Sequence, residues 1–171
     1  MPRSPYVEKL RAHVGHDLLL LPAVTAIIRD GDRLLLARQH GSDSWGLIGG
    51  GIEPGETPHD AVAREVLEEL GVEPTVGDLV GAYGGPDLVI DYPNGDRVAY
   101  TTITFECVLP AGAELILETE ELVEVRWFKP SELSALRLQP GVLRILDDTE
   151  RSAQPTTTSR HSRRSRGGSS F

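Results

Sequence analysis

Cysteine is nearly absent: Cys107 stands alone in 171 residues. That excludes an internal disulfide and any zinc site built from several cysteines. Its neighbours Phe105 and Val108 place it on a buried strand rather than at a nucleophilic centre. Long apolar runs are also missing. None approaches the roughly 20 residues that span a bilayer, and the opening residues lack the pattern of a secretory leader. The expectation is a cytoplasmic protein without a membrane partner. Basic residues are scarce outside the C-terminus. Five arginines and no acids fall in residues 151–171, which leaves 12 basic against 26 acidic side chains in the first 150. A body near −14 argues against a stable nucleic-acid partner. It does not argue against phosphates, because bound cations can invert the charge of an acidic site.

What is present is concentrated in residues 50–72, GGIEPGETPHDAVAREVLEELGV. The glycines and Pro54-Gly55 read as a tight loop. Thr57 is an N-cap, Pro58 suits the first helical position, and Gly71 is a stop, so a helix is predicted over 58–70. Glu65, Glu68 and Glu69 stand at i, i+3 and i+4 and share one face. Val62, Ala63, Val66, Leu67 and Leu70 are expected on the opposite, core-facing side. Like charges on one stripe repel, and only Arg64 interrupts them. Such a stripe is either a solvated acidic face or a set of hard oxygen ligands suited to Mg²⁺.

The wider spacing separates these readings. Gly50, five residues, Glu56, seven residues, then Arg64-Glu65-Val66-Leu67-Glu68-Glu69-Leu70-Gly71-Val72 resembles the Nudix box at every fixed position. The resemblance implies a Nudix-type α/β/α sandwich with a mixed β-sheet. It also implies a hydrolase that splits nucleoside diphosphate derivatives with Mg²⁺ or Mn²⁺. Carried over residue by residue, it makes Glu65, Glu68 and Glu69 the metal ligands, assisted by Glu56 or the Gly50 carbonyl. Arg64 orients the glutamates. Either Glu65 or a downstream loop glutamate is the general base, and a carboxyl crowded by like charges has the raised pKa that suits one. In related proteins a glutamate six residues before a strand tryptophan enters the site. Glu121 stands so before Trp127, with Glu118, Glu120 and Glu124 as competitors. Arg38, at the end of a predicted strand, corresponds to a basic residue that can touch substrate phosphate; it also reads as a plain surface arginine. Ile48 replaces a proline common in the family and removes no ligand.

The remaining chain divides into a lead-in over residues 1–19 with helical spacing of Tyr6, Val7, Leu10 and Val14, a domain over 20–148, and a tail over 149–171. The tail is Ser-, Thr- and Arg-rich without periodicity, and is expected to be disordered. His13 and His16 read as surface residues. Residues 18–39 read as a hairpin about Asp30-Gly31-Asp32. Strands are predicted over 79–83, 88–92, 98–109 and 123–128, with an acidic loop or edge over 110–122. Short helices are predicted from Pro130 and over 140–148. Substrate choice stays open. Pro86 falls near a position seen in ADP-ribose hydrolases, while Tyr83 and Tyr92 fall either side of a tyrosine typical of dinucleoside polyphosphate hydrolases. The compact chain also resembles the MutT-like group acting on nucleoside triphosphates. A ligand-sensing protein that keeps the fold without turnover is the alternative class, and a homodimer is left open.

Overall fold

The computed structural model describes residues 4–152. Its first helix, α1 (Pro5–Val14), is capped by Ser4 Oγ, which accepts from the Val7 amide, and ends at Gly15. β1 (Leu19–Asp30) and β2 (Arg33–Gln39) form the expected hairpin, with Gly31 at a φ of 60° in the turn. They part soon after it. β1 pairs with β4 (Ile48–Gly51) and runs parallel to β7 (Arg97–Val108), while β2 pairs with β3 (Trp45–Gly46) and β8 (Leu122–Phe128). β5 (Thr75–Tyr83) and β6 (Val89–Asp91) complete the sheet against β7. Every pairing except β1–β7 is antiparallel, so the sheet is mixed as expected.

Both faces of the sheet are covered, which explains the near-continuous apolar run of the hairpin. Alternate residues divide between two cores. Ala26, Ile28, Leu35 and Ala37 join Val62, Val66 and Leu70 of α2 (Pro58–Leu70) on one face. Ile27, Leu34 and Leu36 join Phe128 with Val142, Ile145 and Leu146 of α4 (Val142–Ser152) on the other. Trp45 packs edge-on against Phe128, with ring centroids 4.7 Å apart. Cys107 is buried, and desolvation pushes its thiol up to about 12.

Two expectations change. Leu67 is 46% exposed rather than part of the core. The buried stripe of α2 instead takes in Glu65 and Glu69, which lie beside Val62, Val66 and Leu70 and not opposite them. The helix is turned so that part of its acidic stripe faces the sheet. The final helix also runs past the expected start of the tail. Thr149 is buried, and its hydroxyl donates to the Leu146 carbonyl at 2.6 Å, continuing α4 to Ser152. The rest of the tail, 153–171, lies outside the described residues.

Candidate active site

The box builds its geometry from short-range chemistry. Thr57 Oγ1 accepts from the Asp60 amide and starts α2 at Pro58, and Gly71 stops it in the left-handed conformation at a φ of 68°. The helix thereby lays Glu65 on the glycine strand β4. A Cβ added to Gly50 would stand 2.4 Å from the Glu65 carboxylate, so only glycine allows this approach. Gly50→Ala is therefore expected to displace Glu65 by about an ångström and to cost roughly 10²-fold in turnover. Steady-state kinetics, with circular dichroism to verify folding, checks this.

Arg64 organises the carboxylates. Its Nε donates to Glu56 Oε1 at 2.6 Å, and Nη2 donates to Glu56 Oε2 at 3.0 Å and to the Gly51 carbonyl at 2.9 Å. Nη1 donates to Glu65 Oε1 and Glu68 Oε2, both at 2.9 Å. These bonds hold the Glu56 carboxyl below its usual range and Arg64 firmly protonated. Glu56 also accepts from the Glu53 amide, so it braces the loop and the arginine together.

Two carboxyls are pushed the other way by burial. Glu69 is 3% exposed, and its Oε1 has no hydrogen-bond partner. Burial, then the charges of Glu65 and Glu121, raise its pKa well above the ordinary carboxylate value. Glu65 is pushed up to about 7, mainly by burial against the opposing pull of Arg64. Protonation of Glu65 thus favours the fold; that contribution is complete below about pH 4.5 and is lost as pH rises through about 7. In protein stripped of divalent ions, Glu65→Gln is expected to become steadily more stable than wild type across this window. Paired thermal melts between pH 4.5 and 8 measure it.

The segment after β7 closes the site from the other side. Its Ile116 and Glu118 amides donate to the carbonyls of Leu70 and Glu69 at the end of α2. Glu118 turns its carboxylate onto the Glu120 and Glu121 amides, at 3.0 and 2.7 Å. Glu124 pairs with Arg38. Of the four competitors, Glu121 is the one whose charge bears on both Glu65 and Glu69, and its own pKa is raised, first by desolvation.

Glu65, Glu68, Glu69 and Glu121 all line one cavity of about 790 Å³. Gly50 and Glu56 stand behind its wall, against Glu65 and Arg64. Arg38 lies outside the lining, its guanidinium 3.0 Å from Glu124 and 5.9 Å from the centre of the Trp45 ring. The cavity also holds residues that reading the chain in order did not bring together: Glu53, Val7 and Arg11 of α1, and Tyr92 and Tyr100. The helical spacing of residues 6–14 announced α1. Nothing local announced that it would wall the site.

Among the described residues no three acidic, histidine or cysteine side chains form a closed metal cage, because Arg64 sits between the box carboxylates. The donors nevertheless suit a hard divalent cation. An orphaned buried carboxylate oxygen on Glu69 and a second buried carboxylate on Glu65 are groups that a cation would stabilise.

A family model described as NUDIX domain matches residues 19–149. The chain is 33% identical over 121 residues to a MutT-like protein of Streptomyces ambofaciens, covering 71% of each. It is 30% identical over 135 residues to the NAD-capped RNA hydrolase NudC of Stutzerimonas stutzeri, covering 78% of this chain and 45% of that one. The chain thus spans under half the length of that relative. The crystal structure of a UDP-X diphosphatase shares the fold with a TM-score of 0.64 at 22% identity, covering 90% of this chain and 74% of that one.

Proposed function

Because the chain belongs to the Nudix hydrolase family, we propose that it is a divalent-metal-dependent pyrophosphohydrolase of a nucleoside diphosphate derivative, with water as the attacking group. The observation that carries this reading is the buried Glu65–Glu69 pair, with an oxygen left unpartnered, at a cavity large enough for a nucleotide.

Glu65, Glu68 and Glu69 would hold Mg²⁺ or Mn²⁺, with Glu56 or the Gly50 carbonyl assisting. When bound, the ion neutralises diphosphate charge and acts as a Lewis acid. The chain's own residues do the rest. Arg64 fixes the Glu65 and Glu68 carboxylates in place, so their geometry is set before substrate arrives. Glu121 accepts the proton of the attacking water. Its raised pKa suits it to that task, and its loop is tied to the end of α2 by the Ile116 and Glu118 amides. Glu65, pushed up to about 7, is the other carboxyl able to take that proton. Phosphoryl transfer asks little more of side chains than placement and charge.

The name of one relative, a hydrolase of NAD-capped RNA, supports a nucleotide substrate. Among the described residues no helix is long and apolar enough to cross a membrane. The test is product release with Mg²⁺ across nucleoside triphosphates, ADP-ribose, NAD, dinucleoside polyphosphates and nucleotide sugars. Release from at least one, abolished by a chelator and by Glu68→Gln, is expected. Tight nucleotide binding without release from any compound would favour a ligand-sensing protein.

A further inference from the structure

We propose that α1 and the Tyr92–Tyr100 pair form the seat for the base of the nucleotide, so that this wall determines which nucleoside derivative the cavity accepts. The inference rests on the hydrolase reading and assigns the part of the cavity beyond the box.

α1 precedes the segment matched by the family model. It is tied down by Arg11, which is 6% exposed. Arg11 Nη1 donates to the Gly15 and Asp17 carbonyls, Nη2 donates to the Arg97 carbonyl at 2.8 Å, and Nε lies 3.6 Å from Asp96. This fixes the helix to the start of β7 and turns Val7 into the cavity beside Leu21 and Val98. The parallel register of β1 and β7 sets Leu21 next to Tyr100. Tyr92 Oη and Tyr100 Oη are 2.7 Å apart. One hydrogen bond joins them, so one hydroxyl hydrogen and several lone pairs are left for a ligand.

Charge selects what this wall can take. Among the described residues lining the cavity the only cations are Arg11 and Arg64. Arg64 is held by Glu56, Glu65, Glu68 and the Gly51 carbonyl, and Arg11 by three carbonyls and Asp96. A further phosphate would find no uncommitted cation among the described lining residues. On this wall a sugar would meet chiefly the tyrosine hydroxyls and Ser4 Oγ, because the Asn94 side chain is already bonded to Asp96 at both ends. An uncharged ring that is apolar over its faces and carries a few hydrogen-bonding edge atoms fits both limits, and a nucleobase is such a group.

Calorimetric titration with AMP, GMP, CMP and UMP against ribose 5-phosphate, all with Mg²⁺, tests the seat without turnover. At least one nucleotide should bind wild type about tenfold more tightly than the base-free probe. Val7→Trp, which fills the seat, should bring that ratio close to one. Tyr100→Phe should reduce it about fivefold, and serves as the deciding variant if circular dichroism shows α1 disturbed by the tryptophan. A wild-type ratio near one, or a ratio unmoved in Tyr100→Phe and in folded Val7→Trp, overturns the proposal. Protein that keeps the wild-type ratio and its loss in the variants, yet turns over no substrate, supports the seat and refutes the hydrolase reading instead.

Discussion

Glu69→Gln is expected to lower kcat/KM about a thousandfold while leaving the protein at least as stable as before. The substitution keeps the shape of the side chain and removes its charge. In the native fold that charge is buried, has one oxygen without a partner, and faces the charges of Glu65 and Glu121. Such an arrangement opposes folding in the absence of a cation. Its retention makes sense if the cation it attracts performs the chemistry. Kinetics with the preferred substrate and thermal melts without divalent ions measure the two halves together. A variant that loses stability and keeps its activity would mean that Glu69 is a structural residue.

Arg11→Ala is expected to cost about 3–5 kcal/mol of stability, lowering the melting midpoint by roughly 10 °C. Three carbonyls lose their donor, and Asp96, itself 5% exposed, keeps the exposed His16 ring at 2.7 Å in place of a buried guanidinium. Arg11→Lys should recover little, because one ammonium cannot reach carbonyls on both sides of the fork that Nη1 and Nη2 span. Chemical denaturation of the three proteins decides this. Full rescue by lysine would show that charge alone, and not the fork, holds α1.

Local signals made much of this legible. The Thr57 cap, Pro58 and Gly71 fix α2 to the residue, because each acts through the backbone next to it. Asp30-Gly31-Asp32 fixes the hairpin for the same reason. The box spacing named the family and the glutamates that line the cavity. It misjudged the rotation of α2, because an i, i+3, i+4 pattern says which side chains share a face and not which way the face turns. Here the glycine strand removes the bulk that would otherwise keep Glu65 at a distance, so Glu65 and Glu69 turn inward and Leu67 outward. The α1 wall lay beyond sequence reading because its contacts are remote: Arg11 meets Arg97 across 86 residues. Arg38 illustrates the same limit. Its place at a strand end was readable, but its partner Glu124 is supplied by β8.

The most direct measurement is a Mn²⁺ titration followed by electron paramagnetic resonance, with a non-hydrolysable nucleotide present, on wild type, Glu65→Gln and Glu69→Gln. Wild type should bind the ion and both variants should lose most of that binding. Equal binding by all three proteins, or none by wild type, would contradict a cation held by the buried carboxylates of the box.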